Sequence, residues 1–461
     1  MTRLRMLSGI AVLTAMAASA ILGAAPAVAV TPATAFADTV PQSNAATEAE
    51  TPEPTPLPIP DDPSDPVRAK EYWLDGAKIR DAWRVTRGKG VTIAVLDTGI
   101  GEAGGVFGSA VKDGKDMSGV GTADGRTPVG VINRGHGTLV ASVAAAPGKP
   151  DGTGMIGVAP RANLLSISLG FPGTSSTVPF SEQVAEGMKW AVDNGADVIN
   201  LSFTTNTLDW DKSWDEAFLY AYEHDVVVIA AAGNRDSGTS IIGAPATIPG
   251  VLTVGGVDQT GMASRGASTQ GITIGIMAPS ESLVGIAADG QVVGWDGTSG
   301  AAPIVAGAAA LVRAAHPELD AANVINRLIK TAVPVPEMRE KPDPLYGYGL
   351  LDVNAAVTAS VPKVDANPMG DLKEWVRVYR RADAPKDPEP QATATPEAVP
   401  PLPPAEPPTE AGSPLLPTTE SLRYGTLPLL ALTVPGILVA LGVTAAARRI
   451  RTERGRRTPT P

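Results

Sequence analysis

The chain of 461 residues contains no cysteine. Disulfides, thiolate metal sites and thiol nucleophiles are therefore excluded, and an exported form has to be stabilised by its core alone. Histidine is almost as scarce: His136, His224 and His316 are the three imidazoles available to any reaction that needs one. Positive charge is also in deficit. Setting aside Arg3 and Arg5 of the leader and the net +5 of the C-terminal tail takes the formal net charge from −11 to −18 for residues 38–447, a surface that does not suit nucleic acid. Proline numbers 43 but is thin in the middle of the chain and dense at both ends, which argues for one globular centre between two tethers.

The ends read as follows. Residues 1–37 carry Arg3 and Arg5, then an apolar run from Leu7 to Ala25, then small residues, the pattern of a secretory signal peptide. Ala27-Val28-Ala29 and Ala35-Phe36-Ala37 both satisfy the small-x-small cleavage rule, with the second preferred; an uncleaved N-terminal anchor is the alternative. Residues 38–68 are rich in Pro, Thr and acid and cannot fold alone, so they form either a spacer or a segment that wraps the domain. Residues 361–426 form a Pro-rich stalk. Residues 427–447 then give 21 positions without a charge, enough to span a bilayer of ~30 Å at ~1.5 Å per residue. The Arg-rich tail 448–461 should be cytoplasmic, which leaves the globular part outside the membrane. Leu416-Pro417-Thr418-Thr419-Glu420 before this span resembles a sortase signal but has Glu420 where glycine is wanted, so cell-wall attachment is the lesser reading.

The centre, residues 69–360, alternates strand-like and helix-like patterns. Val91 to Leu96 is a continuous apolar, β-branched run, as expected of a strand covered on both faces, and similar runs recur at 164–169, 198–201, 226–232 and 251–254. Helical periodicity lies between or after them at 181–194, 214–223 and 321–331. An α/β domain follows, with a mainly parallel sheet, helices on both faces, and its site at the carboxyl ends of strands. One C-terminal transmembrane helix is added to it.

Chemistry is concentrated at such ends. Gly297-Thr298-Ser299-Gly300-Ala301-Ala302-Pro303 sets a serine on a glycine turn at the mouth of an alanine-rich helix; by itself it also reads as a buried small-residue helix. A serine nucleophile needs a base, an orienter for that base and donors for an oxyanion. His136, flanked by Gly135 and Gly137, is the candidate base, whereas His224 and His316 sit at helix ends and read as caps or surface residues. Asp97 ends an apolar strand, where an unpaired acid is costly, and is the candidate partner of His136. Asn234, after Ala230-Ala231-Ala232-Gly233, is the candidate oxyanion donor; a plain Gly-Asn turn is the bland reading.

Together these stretches resemble the subtilisin-like serine proteases. The residues that carry the resemblance are Val95-Leu96-Asp97-Thr98-Gly99, Gly135-His136-Gly137-Thr138, Ala232-Gly233-Asn234, Gly297-Thr298-Ser299 with Ala301-Ala302-Pro303, and Gly157-Val158-Ala159-Pro160, over residues 70–358. The order Asp, His, Ser is that of subtilisin. The leader, Pro-rich extension, stalk, single span and Arg tail further resemble the mycosins, membrane-anchored proteases of actinobacterial type VII secretion systems. The resemblance implies that Val198 to Thr204 supplies an edge on which an extended substrate adds as a strand, with Ser202, Phe203, Thr204, Ala232 and Gly233 at the substrate. Thr204 stands where the family's first specificity pocket usually has glycine, which implies small or slender residues before the scissile bond.

The expected function is a membrane-anchored, extracytoplasmic serine endopeptidase that processes exported proteins of a type VII system. A structural component of a membrane secretion complex and a general exported protease are the alternatives. No cofactor is expected. Structural calcium occurs in relatives, but Asp61, Asp62 and Asp65 read as solubilising acids. Gly300 departs from the bulkier residue usual after the family's serine, which predicts a looser site that Gly300→Phe would tighten.

Overall fold

The computed structural model describes residues 61–130, 134–380, 441–446 and 448–449. The chain divides into two units, Met1–Tyr379 and Arg380–Pro461. In the second, residues 441–446 are helical and exposed. The leader, residues 381–426 of the expected stalk and most of the expected span 427–447 lie outside the described residues. Residues 361–380 of that stalk are described, carry a helix over Leu372–Tyr379 and bury Leu372, a correction of the expectation that the stalk begins at 361.

The first unit contains nine described strands: β1 (Thr92–Asp97), β2 (Val111–Asp116), β3 (Asn163–Ser168), β4 (Val198–Leu201), β5 (Val227–Ala231), β6 (Leu252–Val257), β7 (Ile274–Pro279), β8 (Leu283–Ile286) and β9 (Val292–Trp295). Its helices are α1 (Trp73–Gly76), α2 (Ile79–Ala82), α3 (His136–Ala145), α4 (Phe180–Asp193), α5 (Lys212–Glu223), α6 (Thr298–Ala315), α7 (Ala321–Lys330), α8 (Val353–Thr358) and α9 (Leu372–Tyr379). Among the described residues seven strands form one parallel sheet in the order β2-β3-β1-β4-β5-β6-β7, and β8 and β9 make a separate antiparallel pair.

The two-residue side-chain period of a strand explains the layers. In β1, Ile93 and Val95 enter one core while Ala94 and Leu96 enter the other; in β5, Val227, Ile229 and Ala231 face the first and Val228 and Ala230 the second. The first core is covered by α3, α6 and α7, the second by α4 and α5. This is the expected subtilisin-like arrangement of a mainly parallel sheet with helices on both faces.

Four elements were not legible as strands. β2 reads Val-Lys-Asp-Gly-Lys-Asp and lies at the sheet edge, where exposed charges blunt edge-to-edge pairing. β7 is the other edge, and β8 and β9 are too short to announce themselves by pattern. Helix α6 is long and apolar enough to cross a membrane, but most of it is buried inside the domain.

The sheet order also locates the site. After β3 the chain crosses β1 to continue on its other side as β4, so the carboxyl end of β1 is a topological switch point. Asp97 is the last residue of β1.

Candidate active site

Asp97 is fully buried, yet its carboxylate is satisfied. Oδ1 accepts from Thr98 N at 2.7 Å, and His136 Nδ1 lies 2.8 Å from Oδ1 and 2.9 Å from Oδ2. The imidazole reaches it because α3 begins almost in contact with the end of β1. A Cβ on Gly137 would come within 2.6 Å of Gly99 O and 3.1 Å of Asp97 Cβ, so only glycine allows this approach. Gly137 N then donates to Thr98 Oγ1 at 2.9 Å, which satisfies one of the free N–H groups at the helix start. Desolvation of the ring alone would lower the His136 pKa. The Asp97 charge and hydrogen bond outweigh it, and the ring is held above its ordinary 6.5.

Ser299 occupies the first turn of α6. Gly297 before it adopts φ +135, a conformation open to glycine, and a Cβ there would meet Asn234 Nδ2 at 2.7 Å. The Asn234 amide is oriented by Thr298: Oδ1 accepts from Thr298 N at 2.7 Å and from Thr298 Oγ1 at 2.9 Å, while Thr298 Oγ1 accepts from Gly233 N at 2.9 Å. With Oδ1 committed, Nδ2 is left as a donor at the half-buried end of the side chain. Thr298 is a residue that the motif reading passed over.

Pro303 lies inside α6 and has no N–H to offer the carbonyl four residues back, which is that of Ser299. Ser202 Oγ donates to this carbonyl at 2.9 Å, and Asn200 Nδ2 donates to Ser202 Oγ at 2.8 Å. The Ser299 hydroxyl donates back to Ser202 O at 3.0 Å. Among the described residues no hydrogen bond joins Ser299 to His136; such bonds often tighten only in the substrate complex. The remaining histidines are placed at helix ends. His224 Nδ1 is 2.8 Å from Tyr220 O at the end of α5, and His316 Nε2 is 2.7 Å from Val357 O after α6.

Gly300 is not a loose joint. It is buried within α6, its N–H donates to Gly297 O at 2.9 Å, and a Cβ there would come within 2.3 Å of Leu283 Cδ1 and 3.2 Å of Trp295 Cζ2. The expectation that Gly300→Phe would tighten the site is therefore corrected: Leu283 of β8 and Trp295 of β9 already fill the space.

Two cavities flank this centre. One of about 390 Å³ is lined by Ser299, Asn234, Gly233, Thr204, Thr239 and Phe203 among others, and one of about 370 Å³ by His136, Thr98, Val129, Phe171, Ser202 and Phe203 among others. Phe171 and Phe203 belong to both, and with Phe180 they form a three-ring cluster with centroids 5.1 to 5.6 Å apart. Gly233 forms the floor under two threonines: its Cβ would meet Thr239 Cγ2 at 2.4 Å and Thr204 Cγ2 at 2.7 Å. Thr204 was expected there and Thr239 was not. Ala232 is fully buried below. The expected substrate edge is shorter than Val198 to Thr204, because β4 is paired with β1 on one side and β5 on the other. Residues 202–204, beyond the end of β4, alone face the cleft.

Comparison with known proteins identifies the family. Residues 88–349, more than half of the chain, match the model of the subtilase family. The chain belongs to the subtilase family. Subtilisin DY of Bacillus licheniformis is 34% identical over 272 residues, covering 59% of this chain and 92% of that protein. Mycosin-3 of Mycobacterium tuberculosis is 33% identical over 346 residues, covering 61% of this chain and 70% of that one. Among solved structures, the MycP3 protease from the type VII (ESX-3) secretion system superposes with a TM-score of 0.55 at 31% identity, over 67% of this chain and 90% of that chain. The protein is thus a subtilisin-like serine protease with mycosins among its homologues.

This subtilase has a built-in cation at its N-terminal edge. The fully buried Arg68 guanidinium donates from Nε to Gly154 O at 2.9 Å, from Nη2 to Gly152 O at 3.1 Å and from Nη1 to Asp61 Oδ1 at 3.1 Å, and Nε lies 3.3 Å from Glu71 Oε2. Asp61 also pairs with Arg80, and Asp65 Oδ1 accepts from Val67 N, Arg68 N and Gly154 N. Asp62 Oδ1 accepts from Ser64. Asp65 therefore ties residues 61–71 directly to the 152–154 loop and Asp61 holds the Arg68 and Arg80 guanidinium groups, a correction for these two of the expectation that the acids only solubilise, while the Asp62 carboxylate caps a local turn at Ser64. Among the described residues no group of three or more His, Asp or Glu side chains is placed to hold a metal.

Proposed function

We propose that the protein cleaves peptide bonds with Ser299 as nucleophile, His136 as base and then acid, and Asp97 as the carboxylate that fixes the imidazole. The observation that carries this reading is the buried Asp97–His136 pair, at 2.8 and 2.9 Å, at the switch point of the sheet beside the N-terminus of α6. Asp97 holds Nδ1 protonated, which leaves Nε2 to take the serine proton. Rotation of the Ser299 hydroxyl away from Ser202 O brings it into line for that transfer. The Ser299 carbonyl stays tied to Ser202 Oγ meanwhile, so the helix turn need not move. The tetrahedral oxyanion is met by Asn234 Nδ2 and the Ser299 N–H, donors already oriented before reaction.

The substrate runs as an extended strand between residues 171–173 and 202–204. The residue before the scissile bond enters the cavity walled by Thr204 and Thr239, whose methyl groups favour small or slender side chains. The second cavity, beside His136 and lined by Phe171 and Phe203, takes an apolar residue further upstream.

Homology to the mycosins and the expected leader, stalk, span and Arg tail support placement on the outer face of the cell membrane, with exported proteins of a type VII secretion system as substrates. Calcium, if bound, is structural and has no part in these steps. Fluorophosphonate labelling of membranes tests the chemistry: labelling that depends on Ser299 supports it, and its absence from the wild type sinks it. A structural role in the secretion complex with cleavage dispensable is distinguished by comparing secretion in Ser299→Ala and a full deletion. A mutant that secretes like wild type demotes the peptidase to a secondary role.

A further inference from the structure

The half-buried indole of Trp295 sits where no part of the reaction described above uses it. Its ring centroid is 5.8 Å from that of His136, with the two planes at 87°, an edge-to-face contact within the range in which aromatic pairs attract. Three neighbours leave it no other place. A Cβ on Gly285 would approach Trp295 Nε1 to 2.9 Å, and one on Gly300 would approach Trp295 Cζ2 and Cη2 to 3.2 and 3.3 Å. Leu283 closes the slot, within 2.3 Å of where the Gly300 side chain would begin. Trp295 Nε1 is itself buried and has no hydrogen-bond partner among the described residues, so the indole is held by shape and not by a polar tether.

The imidazole needs a second contact. Its Nδ1 is anchored to Asp97, but that pair alone permits the ring to pivot about the Nδ1–carboxylate axis. The side chain is 21% exposed, so part of its surface is free of protein contact. An edge-to-face neighbour limits the pivot and so limits where Nε2 points.

We propose that Trp295 is a positioning residue that aims His136 Nε2 at Ser299, and that Gly285 and Gly300 are glycine in order to admit the indole. The inference rests on the assignment of His136 as the base. It explains why the residue after the nucleophile has no side chain: at Gly300 the volume next to the serine is filled by Leu283 of β8, which backs the indole, and by Trp295 of β9. Misplacement of a reacting group by about 1 Å costs on the order of a hundredfold in rate, so a pivoting imidazole shows in turnover and not in substrate affinity. Asp97 supplies the charge that acts on the ring.

The test is steady-state hydrolysis of a short peptide ester by the full-length protein in detergent, with Trp295→Ala, Trp295→Phe and Gly300→Ala compared with wild type. The expected result is a fall of kcat by roughly ten- to a hundredfold in Trp295→Ala with KM within about threefold of wild type. Trp295→Phe, which keeps an aromatic ring, should recover most of it, and Gly300→Ala, whose Cβ would force Leu283 out of the slot and crowd the indole, should lose kcat although Trp295 is intact. Unchanged kcat in Trp295→Ala, a change in KM alone, or equal losses for the Ala and Phe variants would each overturn the proposal. Absence of Ser299-dependent hydrolysis in the wild type would instead overturn the assignment of the site itself. Melting midpoints of the four proteins separate loss of positioning from loss of fold.

Discussion

At the scale of single residues, the site is a set of groups each fixed by one specific neighbour. Asn234 is the clearest case, because Thr298 occupies its Oδ1 and leaves Nδ2 aimed outward. Asn234→Ala should reduce kcat by about 10²–10³ with little change in KM, as measured by active-site-titrated hydrolysis. Thr204→Gly should shift the preferred residue before the cleaved bond toward larger side chains in a peptide library; a library cleaved best after Phe or Lys by the wild type would contradict the two-threonine pocket. His136 gives a pH prediction. Its folded pKa is raised above 6.5 by Asp97, and the reaction requires the neutral ring, so kcat/KM should rise with pH through a value above 6.5. Asp97→Asn should lower that limb along with turnover. The linked stability runs the other way: the contribution of protonated His136 is complete below 6.5 and is lost as pH rises through the folded value.

At the scale of elements, two junctions decide how well the site is held. The first is α6 against the end of β4. Pro303 removes the helical partner of the Ser299 carbonyl and Ser202 Oγ replaces it. Ser202→Ala should leave a buried carbonyl unsatisfied and lower stability by about 1–3 kcal/mol in denaturant unfolding. The second is the segment 61–71 against the 152–154 loop. Arg68→Ala would leave the Gly152 and Gly154 carbonyls without their guanidinium donor, and a buried acceptor left unsatisfied costs about 1–3 kcal/mol. Glu71 makes the same junction sensitive to pH. Burial pushes its carboxyl up to about 8, against the opposing pull of Ile156 N–H and Arg68. Because the folded value lies above the ordinary 4.5, the contribution is present in full below about 4.5 and is lost as pH rises toward 8. Thermal unfolding of Glu71→Gln between pH 4.5 and 8 should therefore show a flatter dependence than wild type; parallel curves would remove Glu71 as the source.

At the scale of the whole molecule, a single α/β unit carries the residues proposed for the reaction, and its order of strands creates the cleft. Asp97, His136, Asn234 and Ser299 come from four distant stretches of chain, yet each ends or follows a strand or opens a helix: Asp97 ends β1, Asn234 follows β5, and His136 and Ser299 lie in the first turns of α3 and α6. Parallel connections are right-handed and place strand ends together, so the convergence follows from topology. The tethers on either side are a matter of cell location. If the proposed anchor is right, fluorophosphonate label should fractionate with membranes in the full chain and appear in the soluble fraction when the chain is cut before residue 427.

The amino-acid sequence by itself determined the class of fold and marked out the four motif residues proposed for the site. A buried parallel strand must be continuously apolar, and catalytic groups at strand and helix ends stand out against alanine and glycine. The resemblance to the family also pointed to Thr204. What it left undecided depended on contacts between segments far apart in the chain. Thr298 became the holder of Asn234, Thr239 the second wall of the cavity beside Ser299, and Ser202 the partner of an orphaned carbonyl only when β4, β5 and α6 were brought side by side. The charged edge strand β2 and the Arg68 cage stayed hidden for the same reason. Gly300 marks the boundary most sharply: by local pattern a glycine after the nucleophile means freedom, whereas in the folded protein Leu283 and Trp295 already occupy the volume that its side chain would need.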